Sequence, residues 1–228
     1  MIEIFSLKWK VYSLMTLIFI ILPIVIPLKY NEKAKYNIAK VFGGFIILEL
    51  ILFYLYHYYN NIFSLQESLP LHLCRIMWVI SLFAIFKKNN TSFEMLFHIG
   101  IFGSFYALLT PDLANDANFF LTLNYYFTHG GIIFVALYCL INLGMRPRNN
   151  SWFNVIFYVN ILAFFISIIN YNIGSNYMYL SSKPGVENPL LFLDWPYYIL
   201  IFELGLFFHS FLIHILYNKF LKRYLNKY

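Results

Sequence analysis

Charged residues and cysteines are scarce in this chain. Of its 228 residues only 11% are Asp, Glu, Lys or Arg, and only two are cysteines. A typical soluble domain is about 25% charged, and a small secreted scaffold held by disulfides needs many more cysteines. Both classes are therefore excluded. The chain is instead 61% hydrophobic, and this composition indicates a protein that crosses a membrane several times.

Long apolar runs set the expected fold. A helix needs about 20 apolar residues to cross a hydrocarbon core about 30 Å thick. We predict an all-α membrane protein, a bundle of seven transmembrane helices forming a single transmembrane domain over residues 1–228. The first run ends without a small-residue cleavage site, so we expect it to be retained. The predicted helices lie at about residues 11–28, 37–60, 69–86, 92–110, 119–143, 153–172 and 197–218.

The basic residues are distributed unevenly between the two ends of these helices. One side has only Lys8, Lys10 and Lys183, whereas the other carries twelve of the 16 basic residues. Since cytoplasmic loops are enriched in Lys and Arg, we predict an amino terminus outside the cell and a carboxyl terminus in the cytoplasm. The net charge of +6 is explained by contact of these basic residues with anionic lipid headgroups, so we predict membrane lipids as partners. It indicates no nucleic acid partner, and protein partners stay unknown.

A histidine, a cysteine and an arginine stand at the outer end of the third predicted helix, in the string LPLHLCRIMW. Ser68 and Pro70 resemble a helix cap and a first-turn proline. Cys74 would then lie about one turn into the helix, where the helix dipole and Arg75 both favour a thiolate. The alternative is that Cys74 is a small buried hydrophobic residue. His72 is two positions away and points to another face, so it is a poor base for this thiol.

The string FTHGG in the fifth predicted helix supplies a better base. His129 would approach Cys74 from another helix at a similar depth, and Gly130 and Gly131 would allow a neighbour or a substrate carbonyl to come close. The alternatives are a histidine that bonds a neighbouring helix and glycines that serve packing. Spacing alone does not decide between a Cys/His pair and two structural residues.

Ionisable residues inside predicted spans are candidates for function. We expect an ion pair between Arg75 and Glu203, each about six residues from an outer helix end. The histidines and carboxylates of the outer rim do not have the spacing of a metal site, so zinc is a minor option and no metal is predicted. No phosphate-binding glycine motif occurs, and no cofactor is implied. Cys74 and Cys139 lie at different depths and are not expected to form a disulfide.

Five strings in the order LPLHLC, GSFYALLTPD, FTHGG, NYMYLSSKP and DWPYYI resemble those of the YwaF-like family of bacterial integral membrane proteins, over residues 69–198. That family is similar to an animal transmembrane acyltransferase that remodels ether phospholipids, and more distantly to membrane hydrolases of fatty-acid esters. The resemblance implies a multi-pass protein of the bacterial plasma membrane, with Cys74 as the nucleophile and His129 as the base.

Such chemistry suggests roles for further residues. The start of the third helix, or N–H groups near Gly130 and Gly131, would stabilise an oxyanion. Arg75 or Lys183 would hold a lipid phosphate. The remaining supporting residues are His72, Glu203, and Asp112 or Asn124, either of which would orient His129.

The alternative function is a transporter or binding component for a small polar solute. It would use the intramembrane groups Glu49, Glu203 and His209.

Overall fold

The computed structural model describes residues 2–111, 113, 118–183 and 192–225. Within these ranges the long elements are seven helices, and six of them are long and apolar enough to cross a membrane. The remaining one, α3, is an apolar helix of 14 residues. The predicted fold class, an all-α bundle of seven helices, is therefore confirmed. The helices are α1 (Leu7–Lys29), α2 (Glu32–Tyr59), α3 (Leu73–Phe86), α4 (Asn90–Leu109), α5 (Phe119–Ile141), α6 (Ser151–Ile173) and α7 (Tyr197–Leu221).

Hydrogen bonds between helices show which helix ends share a face of the bundle. The Trp9 indole at the start of α1 donates to the Leu108 carbonyl at the end of α4, at 3.0 Å. The Tyr138 hydroxyl near the end of α5 donates to the Lys35 carbonyl at the start of α2, at 2.8 Å. We call the face with the starts of α1, α3, α5 and α7 the Cys74 face. The opposite face, where α2, α4 and α6 begin, is the basic face.

Local sequence explains where most helices begin. Asn31, Asn89 and Asn118 precede α2, α4 and α5, and each side chain accepts a hydrogen bond from a backbone N–H in the first turn, at 2.8–2.9 Å. Ser6 caps α1 in the same way, at 3.2 Å. Such caps satisfy amides that have no partner inside the helix. Helix α6 ends at Ile173 and is followed by Gly174, whose φ of +66° lies in the left-handed region that favours glycine.

Helix α5 is the central helix of the bundle. Within its most apolar stretch of 18 residues, 61% of the residues are buried, compared with 11–22% in the corresponding stretches of α1, α2, α6 and α7. Its two glycines allow this close packing. A Cβ at Gly130 would come within 2.4 Å of Thr16 on α1, and a Cβ at Gly131 within 2.4 Å of the Trp78 ring on α3. Both glycines therefore permit the approach of neighbouring helices.

Helix α4 joins the central helices to α6. It contains a π-helical turn, Leu96–Gly100, in which buried His98 lies 2.8 Å from the hydroxyl of Ser151 on α6. Nearby, fully buried Glu94 accepts hydrogen bonds from the guanidinium and the backbone N–H of Arg148. These bonds to the Glu94 carboxylate raise the pKa of Arg148 above its ordinary value. An ion pair and a buried hydrogen bond thus attach α6 to α4 at the basic face.

The start of α3 differs from the expectation. The helix begins at Leu73 and not at Leu69, and Ser68 does not cap it. The Ser68 hydroxyl instead accepts from the Ser64 N–H at 3.0 Å. The Leu69 N–H donates to the hydroxyl of Tyr177 at 2.9 Å. Residues before Leu73 are therefore held by tertiary hydrogen bonds outside the helix.

Candidate functional site

Cys74 lies in the first turn of α3, on the Cys74 face. His72, the residue before the first residue of α3, is the N-cap of this helix, and its side chain makes no capping bond. The first intrahelical bond runs from the Ile76 N–H to the His72 carbonyl, at 3.0 Å. The amides of Leu73, Cys74 and Arg75 come before that bond and have no acceptor within the helix. The partly buried, free thiol of Cys74 is thus next to the positive end of a helix dipole.

His129 is buried in α5 and held by its own helix. Its Nδ1 lies 2.8 Å from the Tyr125 carbonyl oxygen, and its ring packs on the Tyr125 ring with centroids 4.2 Å apart. Since a carbonyl only accepts, Nδ1 carries the proton and Nε2 keeps a lone pair. This is the tautomer that a general base acting through Nε2 requires. His57 and His209 make the same local bond, so the bond sets the tautomer without singling out His129.

A buried polar cluster links α2, α3 and α5 immediately inside Cys74. The Arg75 guanidinium donates to Glu49 Oε1 at 2.8 Å and to Asn124 Oδ1 at 2.6 Å. The Asn124 amide and the Trp78 indole also donate to the Glu49 carboxylate. The guanidinium carbon lies 3.8 Å from the centroid of the Phe53 ring. We refer to Glu49, Arg75, Trp78 and Asn124 as the Glu49 cluster.

This cluster changes two of the expected pairings. The expected ion pair between Arg75 and Glu203 is wrong, because Arg75 pairs with Glu49. Glu203 accepts a hydrogen bond from the Asn160 amide at 3.0 Å. The expectation that Asn124 orients His129 is also wrong, since the Asn124 side chain is bonded to Glu49 and Arg75.

Other predicted site residues have different surroundings. Asp112 lies outside the described residues. Lys183 pairs with Asp194 at 2.9 Å, on the Cys74 face, and both are accessible to solvent. The amides of Gly130 and Gly131 lie in the middle of the continuous helix α5, so their N–H groups are directed along the helix ladder. The start of α3 is consequently the better source of oxyanion donors.

Tyr177 is a site residue that sequence reasoning missed. Its hydroxyl donates to the Leu65 carbonyl and accepts from the Leu69 N–H, both at 2.9 Å. Burial raises the pKa of Tyr177, which keeps the hydroxyl protonated as a donor. Its ring and that of Tyr179 contact the His72 ring, with centroids 5.1 and 5.6 Å apart. The segment after α6 therefore fixes the residues that lead into Cys74.

Glu49 and Trp78 were also missed as site residues. From the sequence Glu49 is an intramembrane carboxylate, but nothing there indicates which arginine it meets. The available signal is the three-residue spacing of Arg75 and Trp78, which places two donors on one face of α3.

The model of the TMEM164 family matches residues 4–215. The chain belongs to the TMEM164 family. This match covers most of all seven helices, together with Cys74, His129 and the Glu49 cluster. It identifies the chain as a member of a family of transmembrane proteins, in agreement with its apolar helices. No curated protein matches the chain, and no solved structure matches it.

The family membership and the helices support a multi-pass membrane protein in contact with lipid. In the part of the chain that the structure describes, no group of three or more His, Cys, Asp or Glu is close enough to hold a metal ion. Cys74 and Cys139 are both free thiols.

Proposed function

We propose that this member of the TMEM164 family is a membrane-embedded lipid acyltransferase or lipid ester hydrolase, with Cys74 as nucleophile and His129 as base. The observation that carries the proposal is the position of Cys74 in the first turn of α3, among amides that have no acceptor within the helix. Such amides favour a thiolate and also stabilise the oxyanion of a tetrahedral intermediate. The resemblance to YwaF-like proteins and their acyltransferase relatives supports the same chemistry.

The reaction follows the two steps of acyl transfer. His129 Nε2 takes the thiol proton, and the Cys74 sulfur attacks the carbonyl carbon of a lipid ester. The carbon–oxygen bond breaks, and the leaving alcohol takes the proton from His129. A hydroxyl, an amine or water then loses a proton to His129 and attacks the thioester, which releases the Cys74 thiol and the new product.

The Glu49 cluster supports the thiol from the interior side. Because Arg75 is neutralised by Glu49 and bonded to Asn124, it serves here as a positioning residue rather than as a phosphate ligand. Lys183 is the remaining candidate for a headgroup phosphate at the Cys74 face. Its partner Asp194 is almost fully exposed, so an anionic headgroup can displace it at little cost.

The solute carrier is supported less well by the contacts. Each intramembrane group that would couple a carrier to ions has a protein partner. Glu49 is paired with Arg75, Glu203 accepts from Asn160, and His209 lies 3.3 Å from the Tyr106 hydroxyl.

The test is acyl transfer by the purified full chain in liposomes. The liposomes contain a phospholipid with a labelled acyl chain and a lysophospholipid acceptor, and mass spectrometry follows transferred and released chains. We expect turnover by the wild type and a loss of at least about 100-fold in Cys74→Ala and in His129→Gln. Acid-quenched wild-type protein is expected to carry a labelled acyl group that neutral hydroxylamine removes.

Cys139→Ala is the matched control, because Cys139 is the second free thiol and is fully buried near the end of α5. It is expected to keep wild-type turnover. Full turnover in Cys74→Ala would overturn the proposal. The carrier function would be favoured if the wild type neither transfers nor hydrolyses acyl chains and the protein tolerates Cys74→Ser.

A further inference from the structure

Two lysines from different elements meet at one aromatic ring on the basic face. Lys40 Nζ lies 5.0 Å, and Lys88 Nζ 4.6 Å, from the centroid of the Tyr36 ring. The Tyr36 hydroxyl donates to the Phe86 carbonyl at 3.2 Å and so holds the ring between the start of α2 and the end of α3. Because both distances are measured to one centroid, the two ammonium groups lie within about 10 Å of each other.

No described carboxylate balances these two charges. Within the described residues of the basic face, the acidic side chains are Glu32 and Glu94, and each is already paired, with Lys35 and with Arg148. Neither lysine at the Tyr36 ring takes part in a described ion pair. Two like charges at such separations repel each other, and an anion that contacts both of them offsets that repulsion.

The backbone at Lys88 supports a role for its side chain. Lys88 has a φ of +46°, in the left-handed region where glycine is favoured. The turn is closed by two N–H groups, those of Lys87 and Asn89, which donate to the Phe83 carbonyl at 3.1 and 3.3 Å. Asn89 then caps α4. Lys88 therefore occupies a position where glycine would be unstrained, and strained residues of this kind concentrate at ligand sites.

The surroundings favour a lipid as the ligand. Lys40 is followed by Val41, which is 61% exposed, and Lys88 is preceded by exposed Phe83 and Phe86. Val41 lies on α2, and Phe83 and Phe86 lie on α3, so these apolar side chains are close in the chain to the two lysines. A phosphate on the lysines would therefore have a surface for acyl chains beside it.

We propose that Lys40 and Lys88, which meet at the Tyr36 ring, bind the headgroup phosphate of an anionic phospholipid at the basic face. The ammonium groups donate hydrogen bonds to the phosphate oxygens. The exposed side chains on α2 and α3 contact the acyl chains. This site is at the opposite face from Cys74 and does not depend on the proposed acyl chemistry.

The experiment counts lipids bound to the full chain by native mass spectrometry in detergent. The probes are phosphatidylglycerol, phosphatidylcholine and inorganic phosphate. We expect the wild type to prefer phosphatidylglycerol over phosphatidylcholine. The double variant Lys40→Gln/Lys88→Gln is expected to weaken phosphatidylglycerol binding by about tenfold or more, since each lysine near a membrane contributes on the order of 1 kcal/mol.

Lys219→Gln/Lys222→Gln is the matched control. It removes the same charge from the same face, and Lys219 also lies over an aromatic ring, 5.5 Å from the centroid of Phe220. Equal losses in the two double variants would overturn the proposal in favour of diffuse surface charge. Unchanged binding in Lys40→Gln/Lys88→Gln would also overturn it. Displacement of the lipid by millimolar inorganic phosphate would assign the site to a free anion instead of a lipid.

Lys88→Gly separates binding from folding. Because glycine adopts the backbone of Lys88 without strain, this variant is expected to unfold at the same temperature as the wild type or higher. It is nevertheless expected to bind phosphatidylglycerol more weakly. A Lys88→Gly protein with raised stability and full lipid binding would contradict the role of this side chain.

Discussion

Glu49 is the residue on which the interior polar contacts depend. It accepts hydrogen bonds from the side chains of Arg75, Trp78 and Asn124, which come from two other helices. Its side chain is only 9% exposed, and that of Arg75 15%. A charge in this environment is tolerated because its partner is present, so the loss of one partner leaves the other uncompensated.

Glu49→Gln is therefore expected to destabilise the protein by about 3 kcal/mol or more, measured as a lower unfolding temperature in detergent. Glu203→Gln is the matched control. Its carboxylate is also in a spanning helix, but among the described residues it accepts one hydrogen bond, from Asn160, and a loss of about 1 kcal/mol or less is expected. Equal losses in the two variants would contradict the importance of the Glu49 cluster.

The same cluster predicts a double-mutant result. Glu49→Gln/Arg75→Gln removes both charges, so it is expected to be more stable than the sum of the two single losses predicts. Unfolding temperatures of the four proteins in the cycle measure this coupling. Strict additivity would show that Glu49 and Arg75 do not act as a pair.

At the scale of a helix, the glycines of α5 allow two neighbouring helices to pack closely against it. Gly131 faces the Trp78 ring, and Gly130 faces Thr16. Trp78 is fully buried and donates to Glu49. This one side chain therefore takes part both in the packing of α3 against α5 and in the Glu49 cluster. Packing at Gly131 thereby supports the position of α3, on which Cys74 lies.

Gly131→Ala is expected to lower stability by about 1–3 kcal/mol, because its Cβ would overlap the Trp78 ring and force α3 to shift. Gly103→Ala in α4 is the control, since nothing lies within 4 Å of its Cβ position. Alanine is the better helix former, so Gly103→Ala is expected to be neutral or to stabilise by up to about 1 kcal/mol. Thermal unfolding of both proteins tests this, and a stable Gly131→Ala protein would contradict the packing argument.

For the whole molecule, the two faces differ in chemistry. The Cys74 face carries the thiol, His72 and the Tyr177 segment, whereas the basic face carries most of the lysines and arginines. Orientation in the membrane stays a prediction from this charge distribution: the basic face is cytoplasmic and the Cys74 face is outside.

Cysteine labelling tests that orientation. In a Cys74→Ala/Cys139→Ala background, a membrane-impermeant maleimide is added to intact cells. Ser182→Cys, on the Cys74 face, is expected to react from outside. Lys87→Cys, on the basic face, is expected to react only after the membrane is permeabilised. The reverse pattern would show that the charge rule places this chain incorrectly.

Individual residues show which features sequence reasoning recovers. The apolar run predicts the start of α5 at Phe119 correctly, because local chemistry decides there: the Asn118 side chain caps the helix. At Pro70 a similar local signal failed, because Tyr177, 108 positions from Leu69, holds that segment outside the helix. The partner of Arg75 was missed for a related reason. Glu49 and Glu203 both lie in spanning helices, and chain position does not tell which one faces α3.

Composition and local spacing in the sequence are enough to establish the class of protein, the number of long apolar helices and the division of charge between the two faces. Each of these depends on residue type and local spacing, because a bilayer requires apolar spans whose backbone bonds are satisfied internally. The Glu49 cluster, the start of α3 and the meeting of Lys40 and Lys88 at Tyr36 become visible only once the helices are packed. These features depend on which helix faces pack together, and that choice is made by close contacts such as Gly131 with Trp78, between residues far apart in the chain.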